Sequence, residues 1–257
     1  MILFSCSEKK AGLKGKVKSI TTSTYSGVEK FGEIEKDVLQ SRSTIKYDDQ
    51  GNKTVVNLYD SDGSLEIQET YKYDDRGNIT EVIIYDSLDS LEYKETYVYD
   101  NKGNKTVYKS YDSDGSLEIK ETYKYDDRGN NTEVIIYDSL DSLYNKIIYK
   151  YNKKGNKKEE NLYDSDSSLL GKEIYSYDRY GLLIERIMTD SDGFFVAREV
   201  YRYNDNGDLK FNSSEGSIEF VLTFEYEYDN EGNWIEQITQ GEFISIEERE
   251  IEYYDNP

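Results

Sequence analysis

Acidic side chains at alternate positions mark two stretches of the sequence as candidates for binding a cation. Asp60, Asp62 and Glu66 belong to the run Asp-Ser-Asp-Gly-Ser-Leu-Glu, and Asp112 and Asp114 begin the same run 52 residues later. Oxygen ligands at alternate positions are what Ca²⁺ requires. The run equally suits an acidic hairpin turn, in which Asp side chains accept hydrogen bonds from nearby backbone N–H groups. The four aspartates are therefore candidate calcium ligands, with an ordinary turn as the competing interpretation.

Catalytic chemistry has weaker support. The sequence contains no histidine, which removes the commonest general base and metal ligand. Adjacent carboxylates such as Asp74 and Asp75 are expected by chance in a chain with 53 acidic residues. Nothing distinguishes one pair as the two carboxylates of a glycosidase. We therefore predict a non-enzymatic protein with no catalytic residue and no cofactor.

The elements that position these side chains come from a repeat, Tyr-x-Tyr-Asp-x-x-Gly-Asn. Its second tyrosine returns every 26 residues, with a last step of 25, at Tyr47, Tyr73, Tyr99, Tyr125, Tyr151, Tyr177, Tyr203 and Tyr228. A fixed period of this length is typical of a repeat architecture. Residues 53–59 and 65–73 have the alternation and composition of strands. Asp begins each intervening turn and Gly comes late in it, which predicts short hairpin connections.

Hairpin turns also predict which residues lie opposite each other. The expected neighbours are Tyr73 with Ile79, Tyr71 with Glu81, and Tyr59 with Leu65. Because successive side chains alternate between faces, both tyrosines of each unit are expected on one side, together with a Leu or Phe eight residues before each anchor. We predict that this side is the core. Thr80, Val82 and Ile84 are expected to form a weaker apolar row on the opposite face.

The predicted fold is all-β: a repeat array of antiparallel hairpins that forms a long meander of sixteen or more strands. The right-handed twist of such a sheet should curl it into a spiral or a barrel, and the sequence leaves both open. Residues 15–25 are predicted as the first strand, and 26–36 as a long loop or a short helical turn. The single repeat domain covers residues 13–257. Its last part, about 229–257 with Trp234 and Phe243, is predicted to cap an exposed sheet edge.

The balance of charge limits the partners. The formal net charge is −21, and a field of this sign repels the phosphates of nucleic acids. Cationic ligands, divalent ions and neutral sugars remain compatible with it. Tyrosine rings can stack on sugars if they face solvent, whereas in the competing interpretation they form the core.

The N-terminus resembles a bacterial lipoprotein signal. Leu3-Phe4-Ser5-Cys6 is similar to the lipoprotein box, in which the cysteine is lipidated. We interpret residues 1–12 as a signal-peptide remnant followed by a polar tether, with Cys6 as the lipidation site. The competing interpretation is a free cysteine near the chain end. Cys6 is the single cysteine of the sequence, which excludes an intrachain disulfide.

The repeat itself resembles the tyrosine–aspartate (YD, or Rhs) repeat of bacterial surface and toxin proteins. Residues 71–80 are similar to that family's Tyr-x-Tyr-Asp-x-x-Gly-Arg-Leu-Thr core, and the likeness extends over roughly residues 39–257. The period here is longer than in that family, and Asn stands in place of Arg after the glycine. The resemblance implies a spiralling antiparallel β architecture and life outside the cytoplasm, with carbohydrate binding as an added possibility.

Two functions follow as hypotheses. The first is a lipid-anchored protein of the cell envelope, in the periplasm or on the cell surface, that acts as a binding or structural scaffold for envelope proteins or glycans. The alternative is a carbohydrate-binding module or a carbohydrate-active enzyme that uses tyrosine stacking and surface carboxylates.

Overall fold

The computed structural model describes residues 13–254, and its secondary structure is entirely β. Consecutive strands pair as antiparallel hairpins. The bounds of the strands are β1 (Val17–Lys30), β2 (Glu33–Tyr47), β3 (Lys53–Tyr59), β4 (Leu65–Tyr73), β5 (Ile79–Asp86), β6 (Leu91–Tyr99), β7 (Lys105–Tyr111), β8 (Leu117–Tyr125), β9 (Asn131–Tyr137), β10 (Leu143–Tyr151), β11 (Lys157–Asp164), β12 (Leu169–Tyr177), β13 (Leu183–Asp190), β14 (Phe195–Tyr203), β15 (Leu209–Gly216), β16 (Phe220–Tyr228), β17 (Trp234–Gln240) and β18 (Ile244–Tyr253).

The sheet closes on itself. Strand β1 pairs antiparallel with β2 on one side and with β18 on the other, from Val17 opposite Tyr253 to Gly27 opposite Ile244. The 18 strands therefore form a single closed barrel. The predicted array of antiparallel hairpins is confirmed, and of the two shapes left open it is the barrel that forms. Closure leaves no free sheet edge for another chain to pair with.

The turns that join the strands have the predicted geometry. In the turn after β4, Asp74 N–H donates to Asn78 O at 2.9 Å and Gly77 N–H donates to Asp74 O at 3.0 Å. Gly77 has φ = 80°, a left-handed conformation that glycine adopts without a steric penalty. The Asp74 carboxylate accepts the backbone N–H of Asn78 at 2.9 Å, which holds the turn closed.

A β-bulge at the end of each hairpin changes the expected register. Tyr73 lies opposite Ile79 as predicted, but Tyr71 lies opposite Val82 and not Glu81, because Thr80 is an extra residue in β5. The prediction of Tyr71 opposite Glu81 is therefore wrong by one residue. Bulges of this kind recur in nearly every pairing, for example at the β5–β6 and β6–β7 contacts. Because bulges bend strands and increase their twist, the repeat itself supplies the curvature that closes the barrel.

The bulges also decide which residues share a face. Val82 and Ile84 pair directly with Tyr71 and Glu69, and directly paired residues lie on the same face of a sheet. The apolar row predicted on the opposite face thus stands beside the tyrosines. A second bulge places Leu65 opposite Tyr59, on the other face, so the prediction that this leucine row shares the tyrosine side is also wrong.

The two faces are an inner and an outer wall. Burial raises the pKa of tyrosines on the face that carries Tyr71 and Tyr97. On the other face Lys72, Lys124 and Lys150 are 68%, 69% and 62% exposed. The tyrosine face is therefore the concave inner wall, and the lysine face is the outer wall.

Buried apolar side chains are few. Among the described residues they are Val17, Ile20, Val56, Val82, Val134, Ala197 and Ile246. The inner tyrosines are only half-buried, and a barrel of this strand number is wider than its side chains can fill. The prediction that the tyrosine side forms a closed core is therefore wrong, because it lines a lumen.

Several anchor tyrosines fasten their hairpins to the preceding ones. The Tyr73 hydroxyl donates to Lys53 O at 2.7 Å, and the Tyr125 hydroxyl donates to Lys105 O at 2.7 Å. Tyr151 makes the same bond to Asn131 O at 2.6 Å. The repeated tyrosine thus serves inter-hairpin connection as well as packing.

Both ends of the repeat region differ from expectation. Residues 26–36, predicted as a loop or helical turn, extend β1 and β2 around a tight turn at Phe31 and Gly32. The C-terminal stretch predicted as a cap supplies β17 and β18, and β18 closes the barrel against β1. Across residues 13–254, no helix is long and apolar enough to cross a lipid bilayer.

Candidate functional site

The four aspartates selected as calcium candidates lie in two exposed turns at the same end of the barrel. Asp60 Oδ1 accepts the backbone N–H groups of Asp62 and Ser64 at 3.0 Å. Asp62 Oδ1 accepts Ser64 N–H at 2.8 Å, and this serine lowers the pKa of Asp62. The turn of Asp112 and Asp114 repeats these bonds around Ser116.

The carboxylates thus stabilise their own turns. Within the described chain, no group of three or more His, Cys, Asp or Glu side chains is placed to hold a metal ion. Calcium binding by these turns stays a prediction. The proposed lipidation site, Cys6, lies outside the described residues.

The most regular chemical feature of the inner wall is a series of tyrosine–glutamate pairs. In each, a tyrosine hydroxyl donates to the glutamate two residues earlier on the same strand. We call these pairs the tyrosine–glutamate ladder, and they are Tyr71–Glu69, Tyr97–Glu95, Tyr123–Glu121, Tyr175–Glu173 and Tyr201–Glu199. Burial is the main cause, and the carboxylate the second, of a raised pKa at each of these tyrosines. The phenols therefore remain protonated donors over the physiological pH range.

Cations lie between the rings of this ladder. Lys105 Nζ is 5.7 Å from the centroid of Tyr97, 5.5 Å from that of Tyr108 and 4.3 Å from that of Tyr123. Burial among the rings lowers the pKa of Lys105. An ammonium within about 6 Å of a tyrosine centroid is attracted by the negative face of the ring.

The same arrangement recurs two repeats later. Lys157 Nζ is 5.3 Å from the centroid of Tyr149 and 4.3 Å from that of Tyr175. It also forms an ion pair with Glu160 at 2.7 Å. Lys105 and Lys157 are the first residues of β7 and β11, so the repeat places their amines at equivalent points of the wall.

Farther along the wall, arginines neutralise the carboxylates. Arg186 lies 3.4 Å from Glu173 Oε2 and 2.9 Å from Glu199 Oε1. Arg249 stacks its guanidinium 3.3 Å from the centroid of Trp234, and Trp234 is itself in edge contact with Tyr226. The inner wall therefore combines hydroxyls, carboxylates and ring-bound cations throughout.

The outer wall is ionic in a different way. A glutamate lies between two lysines from neighbouring strands in three places. These outer lysine–glutamate triplets are Lys72–Glu81–Lys94, Lys124–Glu133–Lys146 and Lys150–Glu159–Lys172, with N–O distances of 2.5–3.1 Å. Charged side chains thus extend along the outer wall from the strand end at Lys72 to the middle of β6 at Lys94, whereas a lipid-facing barrel would carry an apolar band.

The two mouths of the barrel also differ. At one, which we call the Asn rim, the Asp-x-x-Gly-Asn turns bond to each other, as when Arg76 donates to Asn101 O at 3.2 Å. At the opposite one, the apolar rim, large apolar side chains lie exposed at the turn tips. They are Phe31, Leu88, Leu140, Phe194, Ile218 and Phe243.

Sequence reasoning selected the tyrosines but missed Lys105, Lys157 and Arg186. A signal for the lysines is present: residues 53, 105 and 157, each the first of its strand, are lysine in every second repeat. Taken alone they resemble ordinary surface lysines. Only the tyrosine rings that their amines contact show that they belong to the lumen.

Comparison with known proteins supports the fold. No protein-family model and no curated protein matches the sequence. Among solved structures, the chain is similar to a porin-like protein from Bacteroides uniformis, with a TM-score of 0.50, 13% identity and coverage of 93% of this chain and 99% of that chain. It also matches part of TcdB2-TccC3, with a TM-score of 0.36, 13% identity and coverage of 84% of this chain but 15% of that chain. At these identities the likeness concerns the fold alone, and membership of the tyrosine–aspartate repeat family stays a prediction.

Proposed function

We propose that this chain is a non-enzymatic scaffold of the cell envelope, anchored by a lipid at Cys6, whose barrel binds a ligand or partner. The inner wall is the observation that carries this proposal. Its phenol hydroxyls and carboxylates are held in place by one another and are half-exposed to the lumen. Preorganised polar groups beside aromatic faces are what a binding site for a small polar ligand requires.

The outer wall supports a barrel surrounded by water. Removing the charges of Lys72, Glu81 and Lys94 from water into lipid would cost several kcal/mol, on the order of 2–4 kcal/mol for a lysine at the midplane. A covalent lipid on a polar tether attaches such a barrel to a membrane without inserting it. The outer lysine–glutamate triplets thus favour attachment through Cys6 over insertion of the strands.

The position of the chain start gives this attachment a direction. Lys14 N–H donates to Asn233 Oδ1 at 2.7 Å, and the amide of Asn233 donates to Lys14 O at 2.8 Å. Both belong to the Asn rim, so a tether leading back to Cys6 leaves from that mouth. The apolar rim then points away from the membrane, where its exposed side chains would meet envelope proteins.

The anchor is tested by labelling cells that express the full precursor with radioactive palmitate. We expect label in the wild-type protein and none in the Cys6→Ser variant, with the wild type in the membrane fraction and the variant in the soluble fraction. Unlabelled wild-type protein would remove the anchor from the proposal and leave the barrel's binding role standing.

Glycan binding is the second candidate, and the five pairs of the tyrosine–glutamate ladder favour it. Sugar hydroxyls bond to carboxylates while their apolar faces stack on aromatic rings. A glycan array and a hydrolysis screen, run on the same preparation, separate a binding module from a carbohydrate-active enzyme. Blank results in both would eliminate this candidate.

A calcium role for Asp60, Asp62, Asp112 and Asp114 has its own test. Thermal melting in EDTA and in Ca²⁺ should differ if the turns bind the ion, because a ligand specific to the folded state raises the melting temperature. Asp62→Asn combined with Asp114→Asn is the matched control. Identical melting curves would leave these turns with a purely structural role.

A further inference from the structure

The tyrosine rings of the inner wall are separated by a series of slots, each filled by the first residue of an intervening strand. Tyr97 and Tyr123 flank Lys105, and Tyr149 and Tyr175 flank Lys157. The slot between these two, bounded by Tyr123 and Tyr149, belongs to Asn131. Like the slots of Ile79 and Leu183 it has rings on both sides and no cation, but its first residue is polar.

The backbone places Asn131 as it places the two lysines. Asn131 lies opposite the anchor Tyr125, as Lys105 lies opposite Tyr99 and Lys157 opposite Tyr151. The hydroxyl of Tyr151 bonds to Asn131 O at 2.6 Å, as that of Tyr125 bonds to Lys105 O. The slot thus has the same frame as its two neighbours.

The side chain of Asn131 does not complete this slot. The side chain of Asn is two bonds shorter than that of lysine, and Asn131 Oδ1 is buried without a hydrogen-bond partner. A buried acceptor left unpaired costs about 1–3 kcal/mol. A donor that displaced the side chains shielding this oxygen would remove that cost.

The charges around the slot favour a cation. Glu121, on the strand beside it, and Glu160, beyond Tyr149, are close enough to contribute to the raised pKa of Tyr149. The amines of Lys105 and Lys157 oppose this field from the two flanking slots, but each is already in contact with its own rings. A primary ammonium offers donors for Asn131 Oδ1 and a charge for the ring faces.

We propose that the slot formed by Tyr123, Asn131 and Tyr149 binds the primary ammonium group of a small ligand that enters through the lumen. Lys105 and Lys157 are the built-in equivalents of this ligand in the flanking slots. The inference rests on the proposed role of the barrel as a binding scaffold and specifies the ligand class that one part of its lumen accepts.

The test uses n-butylammonium as the probe, because it copies the end of a lysine side chain. It is titrated into ¹⁵N-labelled protein at constant ionic strength and followed by NMR. We expect saturable shifts, including those of the Asn131 side-chain amide, and no such shifts with n-butanol, which has the same chain without the charge.

Two variants copy residues that the repeat already uses at this position. Asn131→Lys supplies the amine internally, and Asn131→Leu fills the slot as Leu183 does in a sister strand. Each should weaken binding of n-butylammonium at least about tenfold, the equivalent of one cation–π contact and one hydrogen bond. Lys105→Asn should open a second slot and raise the number of bound probes from one to two.

Three outcomes would overturn the inference: no saturable shift in the wild type, equal shifts with n-butanol, or unchanged affinity in both Asn131 variants. Far-ultraviolet circular dichroism of each variant shows that the barrel is intact, and either variant alone suffices if the other fails to fold. If n-butylammonium does not bind while glycan or protein binding is retained, the slot is refuted and the scaffold function stands.

Discussion

The inner and outer walls of the barrel use the same acidic residue in opposite ways. On the outer wall Glu159 lies between Lys150 and Lys172 at 2.7 and 3.1 Å, so its charge is cancelled locally. On the inner wall Glu69 and Glu121 accept hydrogen bonds from Tyr71 and Tyr123, which orient the carboxylates but leave their charge in place.

This difference separates stability from recognition. Ion pairs in water contribute little to stability but keep the wall soluble and free of apolar patches. Neutral hydroxyl donors fix a carboxylate without neutralising it, so the lumen retains a negative field that attracts cations. The three predictions that follow would break or sharpen this contrast.

The largest expected effect is alkaline unfolding driven by the inner wall. Burial raises the pKa of Tyr73 and Tyr226 to about 12, whereas the pKa of tyrosine in an unfolded chain is about 10. The folded state therefore keeps protons that the unfolded state loses, so this stability is complete below about pH 10 and falls as the pH rises through about 12. A pKa difference of one unit between the folded and unfolded states corresponds to about 1.4 kcal/mol. Ionisation of several such tyrosines together can therefore unfold an ordinary domain.

The measurement is tyrosinate absorbance against pH, with circular dichroism recorded on the same samples. We expect a group of tyrosines to ionise only as β structure is lost, while protein in urea titrates in one step near the unfolded value. Ionisation of all tyrosines in the intact barrel would show that the inner rings are freely hydrated.

A smaller effect is expected when an inner cation is removed. Arg186→Leu leaves Glu173 and Glu199 without their shared partner on the inner wall. The side chain of Arg186 is only 30% exposed there. We expect a loss of about 2–3 kcal/mol in the free energy of unfolding, because the uncompensated carboxylates stay half-buried.

The matched outer change is Arg198→Leu, which removes a partner of Glu185 on the adjacent strand. Because water solvates the remaining charges there, we expect a clearly smaller loss than for Arg186→Leu. Urea denaturation of both variants gives the comparison, and equal losses would contradict the distinction between the walls.

The smallest effect concerns an outer triplet. Hydrogen bonds from Lys150 and Asn161 lower the pKa of Glu159 to about 2. This stability is present above the unfolded pKa of about 4.5 and is lost as the pH falls through about 2. Glu159→Gln should therefore cost up to about 1 kcal/mol at neutral pH and nothing near pH 2. Glu66→Gln, at the exposed second position of β4, is the control, and equal pH dependence of the two variants would argue against the triplet.

Local structure could be predicted from this sequence because each repeat carries its own signals. Asp at the start and Gly near the end of a turn define the hairpins, and the strand bounds of residues 53–59 and 65–73 follow from alternation. The extra residue at Thr80 has no comparable signature. This extra residue shifts the register, so that Val82 and not Glu81 lies opposite Tyr71. Every conclusion about which residues share a face of the sheet changes with it.

Closure of the barrel and the nature of the binding surface could not be predicted from the sequence, for a related reason. Pairing of β1 with β18 depends on the summed curvature of all bulges, which is a property of the whole sheet. The environment of Lys105 depends on rings from three different strands. Calcium at the acidic turns and lipid at Cys6 remain predictions that rest on local sequence.

The closure of β1 on β18 also has a consequence for how such a protein evolves. Each unit contributes one complete hairpin, and in several units the anchor tyrosine fastens it to the preceding hairpin. Residues 112–146 nearly repeat residues 60–94, so whole units have been copied within the chain. Since a copied unit adds an even number of strands, the seam between the first and last strand stays antiparallel. Duplication of repeats can thus widen the lumen in discrete steps without requiring a new way to close the barrel.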